Sequence, residues 1–321
     1  MSSEVSRAVP VRAVIVGGPT ASGKSALAVE LAEALGGTVI NADSMQVYRE
    51  LDIVSARPGT DELARAPHRL YGFLSASEVC SAALWRERAL EEIAMAAGEG
   101  RVPVLCGGTG LYLHALTHGL SEMPDISPQT REEARALHAR IGGAALRKML
   151  AEGDPVLAAR LHHGDSQRLI RAWEVLQDTG QPLSAWQQRP AQPPEGMEFF
   201  TMTIQPDRAA LYRRCDLRFE KMLEEGALEE VRDLMALDLD PSLPAMKALG
   251  VPQIIDFIKG NTSREECVRL AQRDTRRYAK RQITWFRNQV HANLVVEKQD
   301  SERSREEIFN NIRQFLLTGH S

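Results

Sequence analysis

The chain has 321 residues, 43% hydrophobic and 26% charged, which is ordinary globular usage and enough to bury a core. A net charge of −4 excludes a globally basic nucleic-acid binder, so any basic surface must be local. Cys80, Cys106, Cys215 and Cys267 lie far apart with no Cys-x-x-Cys pair, which excludes a readable disulfide framework or zinc site. No stretch approaches the ~20 apolar residues of a membrane span, and "MSSEVSRAVPVRAVIVGG" carries no secretory pattern. A soluble, cytoplasmic chain with reduced thiols and no membrane partner is expected.

Val11 to Gly17 is apolar except for Arg12, too short for a helix before a Gly-rich turn, and reads as a buried parallel strand. Lys24 to Leu35 carries Ala, Leu and Glu at helical spacing and stops at Gly36-Gly37. Residues 38–42 form a second short strand, with Asp43 just beyond it. A helix follows at 81–97, then a third strand at 102–106 that runs into Gly107-Gly108-Thr109-Gly110. This alternation predicts an α/β fold: a P-loop NTPase-like doubly wound parallel sheet, with active residues beyond the carboxyl ends of its strands.

Between about Ser121 and Pro194 strand-like runs disappear. Helical segments at 128–141, 144–151 and 165–178 predict a helical insertion domain at 121–190, carried by a core of 1–120 and 191–321. Met197 to Ile204 returns to the sheet. Long amphipathic helices at 207–225 and 263–288 follow, then a short strand at Leu294 to Val296.

Gly18, Pro19, Thr20, Ala21, Ser22, Gly23, Lys24 and Ser25 match G-x-x-x-x-G-K-[ST], the phosphate loop of many ATP-binding proteins. Glycines let successive N–H groups curl inward onto phosphate oxygens, and the following helix adds its positive dipole end. Lys24 supplies a full charge, and the Ser25 hydroxyl is a ligand for Mg²⁺. The motif specifies a polyphosphate without saying which one. Kinases and NTPases place an Asp at the end of an apolar strand for Mg²⁺. Here the third strand ends without a carboxylate, and Asp43 is the one good candidate, as metal ligand or as catalytic base. The residues alone leave both roles open.

"GGPTASGKS", "NADSMQVYRELDI", "GGTGLYLHAL", "DSQRLIRAWEV" and "AKRQITWFRNQ" occur in that order, and together they resemble the tRNA dimethylallyltransferase (isopentenyl-tRNA transferase) family, bacterial type. The resemblance runs from about Val14 to Gln289. It implies that the P-loop grips an allylic diphosphate, dimethylallyl diphosphate, rather than ATP. Lys24, Ser25 and Mg²⁺ then offset the charge that grows as the C–O bond breaks. It also implies that Thr109 donates to the diphosphate near its bridging oxygen, that Arg218 is a further diphosphate partner, and that Asp43 is the general base. The base takes a proton from the exocyclic amino group of adenine.

The same resemblance implies tRNA as partner, through its anticodon stem-loop, with the adenine 3′ of the anticodon turned outward into the site. Ser44, Met45 and Gln46 match the segment that touches that base, and a Gln side chain can read an adenine edge. Gln167, Arg168, Leu169, Ile170 and Arg171 match one RNA-contact block; Lys280, Arg281, Gln282, Ile283, Thr284, Trp285, Phe286 and Arg287 match another. Arg131 and Lys247 fall at further contact positions. Eight Lys/Arg against three acids between Arg264 and Arg287 give a local excess of +5, with aromatics between them, which suits RNA backbone and stacking.

The chain departs from many bacterial relatives at "KALGVP", Lys247 to Pro252, where a Gly-Tyr-Arg segment touches tRNA, and it lacks the Cys-rich C-terminal zinc module of eukaryotic ones. Rival readings are an isopentenyltransferase of free adenine nucleotides, a P-loop metabolite kinase and an RNA-binding NTPase switch. The expected protein is a monomer.

Overall fold

The computed structural model describes residues 10–297 and 302–318, so the leader reading of residues 1–9 lies outside the described residues. In chain order the elements of the first compact unit begin with β1 (Val11–Gly17), α1 (Lys24–Leu35), β2 (Thr38–Asn41), α2 (Thr60–Arg65) and β3 (His68–Arg69). They continue with α3 (Ala82–Gly98), β4 (Pro103–Gly107) and α4 (Gly110–His118). After the insertion come β5 (Met197–Ile204), α9 (Arg208–Glu224), α10 (Ala227–Ala236), α11 (Val251–Ile258), α12 (Arg264–Gln289), β6 (Leu294–Val296) and α13 (Glu302–Leu317). The strands lie in the order β3-β2-β4-β1-β5-β6, and every pairing is parallel.

Alternation along the strands feeds two separate cores. Ala13, Ile15, Ile40 and Leu105 face Trp85 and Ile93 of α3 and Leu113 and Leu116 of α4. Val14, Val16, Val39, Val104 and Met202 face Leu27 and Leu31 of α1 and Ile308 and Ile312 of α13. A parallel sheet covered on both faces explains why β1 and β4 read as continuous apolar runs. Each such side chain contributes about 1.5–3 kcal/mol of burial.

Helix starts follow local capping chemistry. Ser81, Asp207 and Ser263 accept from Leu84 N, Ala210 N and Glu266 N, and each such cap is worth about 1 kcal/mol. β2 ends at Asn41 because that side chain turns the backbone: its Oδ1 accepts from Asp43 N at 2.8 Å and its Nδ2 donates to Leu70 O at 3.1 Å. β3 was not expected from sequence; two residues are too few to show an alternation.

The second compact unit spans His118–Pro193, against the 121–190 expected. It holds α5 (Pro128–Gly153), α6 (Pro155–Arg160), α7 (Ser166–Thr179) and α8 (Leu183–Trp186). Gly142, at φ 75° and ψ 165°, breaks α5 into two helices. Leu146, Leu150, Leu169 and Val175 form its core. The fully buried Asp154 carboxylate accepts from Leu157 N and Ser184 N, tying α6 to α8.

Candidate active site

β1 delivers the chain to the P-loop between its two sheet neighbours, and α1 begins at Lys24. Gly23 sits at φ 89° and Ala21 at φ 58°, so the loop curls by left-handed turns at both positions. Gly18 passes so close to Ile204 that an added Cβ would lie 3.0 Å from its carbonyl oxygen. Lys24 is 9% exposed and donates to Pro19 O at 3.3 Å. Burial lowers its ammonium below the ordinary lysine range, and the Asp43 carboxylate pulls it back up. Ser25 hydrogen-bonds to the buried Cys106 thiol, which burial pushes up to about 11.

Asp43 leaves the end of β2 half-buried, its Oδ1 accepting from Met45 N at 3.0 Å in a local turn that fixes the carboxylate. Thr109 Oγ1 accepts from Ser44 N at 2.9 Å and donates to Ser44 Oγ at 3.2 Å, which joins the β2 and β4 ends. Tyr278 of α12, one of the aromatics that the sequence sets among the basic residues as RNA-stacking candidates, instead hydrogen-bonds Thr109 with its hydroxyl. Burial, then the Asp43 charge, raises the Tyr278 phenol, so it stays protonated.

The Gly107-Gly108-Thr109-Gly110 turn is explained by what crowds it. A Cβ on Gly107 would fall 2.0 Å from Ala42 O, one on Gly108 2.3 Å from Gln282 Nε2, and one on Gly110 2.0 Å from the Trp285 ring. Gln282, 5% exposed, accepts from Thr20 N at 2.8 Å and donates to Gly108 O at 2.9 Å. α12 therefore clamps the P-loop to the turn after β4.

A cavity of about 260 Å³ opens where these parts meet. Thr20, Asp43, Ser44, Arg218 and Tyr278 form its polar side; Met45, Val54, Phe219, Met222 and Leu249 form an apolar side. Cys215, Phe219 and Met222 come from one stripe of α9, at the i, i+4, i+7 spacing that a charge-rich sequence hides. Burial lowers the Arg218 guanidinium, and burial also raises the Cys215 thiol. Lys247 and Arg281 reach the same cavity.

Several residues expected at an RNA surface stand elsewhere. Phe286 is 1% exposed with its ring against Gly17, and Leu169 is fully buried in the second unit, so neither side chain reaches a ligand. Gln282 is spent on the clamp, and Ile283 packs with Ala21, Leu211 and Cys215. Gln46 donates to Ser55 O and Ala56 O, leaving only Oε1 for a base edge, so it cannot supply the donor that two-pronged adenine reading needs. The local charge excess is also smaller than its count: Arg273 and Arg277 share Asp274, Arg276 pairs with Asp216, and Arg269 with Glu266. Lys280, Arg281 and Arg287 are exposed and make no ion pair among the described residues. Trp285 and Ile170 are half-buried, and Thr284 is exposed with its hydroxyl on Lys280 O. On the second unit Arg131 and Gln167 are exposed, Arg168 is exposed and pairs with Asp165, and Arg171 reaches Glu174.

The family described as IPP transferase matches residues 46–289. A tRNA dimethylallyltransferase of Rhodospirillum centenum is 56% identical over 280 residues, 87% of this chain and 89% of the relative. One from Granulibacter bethesdensis is 50% identical over 314 residues, 95% and 98% of the two chains. The full-length tRNA isopentenylpyrophosphate transferase of Bacillus halodurans superposes with a TM-score of 0.70 at 33% identity, over 96% of this chain and 98% of that one. A eukaryotic dimethylallyltransferase solved acting on tRNA gives a TM-score of 0.79 at 23% identity over 95% of this chain and 79% of its own, a likeness of fold.

Proposed function

This chain belongs to the IPP transferase family, and we propose that it moves the dimethylallyl group of dimethylallyl diphosphate onto the exocyclic amino group of the adenine 3′-adjacent to the anticodon of tRNA. The observation that carries this reading is the single cavity that joins a P-loop residue, a carboxylate and an arginine to an apolar wall. A kinase needs the phosphate grip but not a Met, Val and Phe lining on its far side. An apolar five-carbon chain does.

The roles follow from position. The P-loop amides, Lys24 and Arg218 bind the diphosphate, and their charge offsets what builds on oxygen as the C–O bond breaks. Thr109 accepts from Ser44 N and donates to Ser44 Oγ at a long 3.2 Å, so its hydroxyl is held at the cavity edge and turns its proton to the diphosphate by giving up that weak bond. As the new C–N bond forms, the amino group loses a proton to Asp43, and diphosphate leaves. The apolar wall excludes water from the allylic carbon.

The donor set suits Mg²⁺. The Ser25 hydroxyl at the start of α1 is a hard oxygen donor of the kind this ion accepts when substrate phosphates and water supply the rest. Ser25 would hold it, leaving Asp43 free to act as the base. The ion would supply Lewis-acid charge to the leaving diphosphate.

For the RNA, Arg264, Lys280, Arg281 and Arg287 are exposed cations of α12 with no ion pair among the described residues, with Trp285 beside the last three and Lys247 at the cavity; on the second unit Arg131 offers a cation and Gln167 a neutral amide, while Arg168 shares its charge with Asp165. No described helix is long and apolar enough to cross a membrane. A cytoplasmic monomer completes the reading, with light scattering as its check. The deciding experiment incubates the protein with dimethylallyl diphosphate, Mg²⁺ and either unmodified tRNA or free AMP, followed by nucleoside mass analysis. Prenylated adenosine in tRNA is the expected product; prenylation of AMP alone, or a phosphorylated product with ATP, would replace this function.

A further inference from the structure

We infer that Glu230 is a positioning residue for the donor pocket, one that fixes the wall segment 52–56 and so sets how long an allylic chain the cavity admits. The inference rests on the prenyl-transfer reading above. Val54 and Ser55 line the cavity, yet the segment that carries them belongs to no helix or strand. Something other than a ladder must hold it.

Glu230, half-buried on α10, does so. Its Oε2 accepts from Asp52 N at 2.8 Å and from Ile53 N at 2.7 Å, and its Oε1 accepts from Val54 N at 2.9 Å. Three successive backbone N–H groups converge on one carboxylate, an arrangement that requires an acceptor-only group with full negative charge. From the other side Gln46 Nε2 donates to Ser55 O at 3.1 Å and Ala56 O at 2.7 Å. The segment is gripped by its N–H groups on one side and by its carbonyls on the other.

The grip works against the chain's own preference. Ala56 sits at φ 52°, a left-handed conformation that residues with a Cβ seldom adopt. Without Glu230 the segment has a reason to relax, and Val54 is the side chain that would withdraw from the apolar wall. That wall is completed by Met45, Phe219, Met222 and Leu249. Glu230 itself lines the opposite, acidic side of the segment beside Glu50, Glu229 and Asp233 and does not border the donor cavity. It therefore acts through Val54 and not by touching substrate.

Glu230→Gln separates this role from plain scaffolding. The amide nitrogen cannot accept, so at least one N–H of 52–54 faces another donor. Full-length protein is assayed with unmodified tRNA, Mg²⁺ and either dimethylallyl or geranyl diphosphate. In Glu230→Gln the KM for dimethylallyl diphosphate should rise about tenfold, with kcat changed less than about threefold. The preference for the five-carbon over the ten-carbon donor should fall about fivefold or more. Glu230→Asp, which keeps the acceptors on a shorter stem, should recover part of both. Val54→Ala should lower the same preference while leaving Glu230 in place.

An unchanged KM and preference in Glu230→Gln overturns the inference, as does a loss confined to kcat. If Glu230→Gln does not fold, Val54→Ala decides: an unaltered donor preference overturns the inference and a lowered one supports it. Wild-type protein that leaves tRNA unprenylated would end the proposed function itself, a result separate from any of these.

Discussion

Replacing Gln282 by Leu keeps the side-chain volume close while deleting both arms of the clamp between α12, the P-loop and the turn after β4. The deleted bonds are Thr20 N–H to Oε1 at 2.8 Å and Nε2–H to Gly108 O at 2.9 Å. A typical net hydrogen bond is worth about 1 kcal/mol, and a buried partner left unpaired costs about 1–3 kcal/mol. Thr20 borders the cavity and can recover a bond from water or a phosphate oxygen. Gly108 O loses its bond to a buried amide and recovers less easily. The sum is about 2–4 kcal/mol, a large share of the 5–15 that holds an ordinary domain together. In a chain of 321 residues it should lower Tm by roughly 3–6 °C.

Thermal unfolding followed by calorimetry reads that shift, and donor titrations should show weaker diphosphate binding alongside it. Gln282→Glu sharpens the test. Its ionised carboxylate meets Gly108 O as oxygen against oxygen, whereas the protonated acid can donate there, so folding favours the protonated form and raises the carboxyl pKa. Stability of that variant should be present below the ordinary glutamate range and be lost as pH rises through the raised value. A Gln282→Leu shift under about 1.5 °C would mean that the clamp contributes less than about 1 kcal/mol, and the account of α12 as the brace of the P-loop would fall.

Asp43→Ala should abolish turnover, with tRNA affinity within about threefold, because the base acts in the transition state; normal turnover measured by nucleoside mass would remove Asp43 from that role. Lys280→Ala with Arg287→Ala should reduce the slope of log K against log salt by about 1.4, as expected for two phosphate contacts on single-stranded RNA. Arg276→Ala, whose cation is already paired with Asp216, should leave the slope within error, and a fall there would place the RNA differently. Protonated Lys24 attracts diphosphate and burial favours its neutral form, so donor kcat/KM should fall on the alkaline side before the ordinary lysine value of 10.5. Lys24→Arg, if active, should lose that limb; a limb that stays in place belongs to another group.

The central strands β1, β2 and β4 were legible because they are buried on both faces. β1 is an apolar run apart from Arg12, β5 mixes apolar residues with β-formers such as Thr201 and Thr203, both have the bounds expected from sequence, and the caps Ser81, Asp207 and Ser263 announce their helices. The P-loop was legible because phosphate binding demands a local backbone shape, which a local motif can encode. Other features depend on partners distant in sequence. Gln282 lies in a charge-rich block that resembles an RNA surface, and only the packing of α12 turns it inward to residues 174 and 262 positions away. Phe286 had the composition of a stacking platform but fills the space that Gly17 leaves. The cation count in α12 could not reveal that Asp216 on α9 claims Arg276. β3 and the segment 52–56 carry no periodicity to read, since one is two residues long and the other is held by side chains.

The sulfur of Cys215 stands in the cavity wall beside the place proposed for an allylic electrophile. A thiolate there would outcompete an aromatic amine for the carbon centre, and the protein would alkylate itself. Burial raises this thiol and keeps its proton on, which makes it a poor nucleophile. The apolar lining proposed to shelter the hydrocarbon would thus also serve chemoselectivity, by keeping a neighbouring thiol protonated.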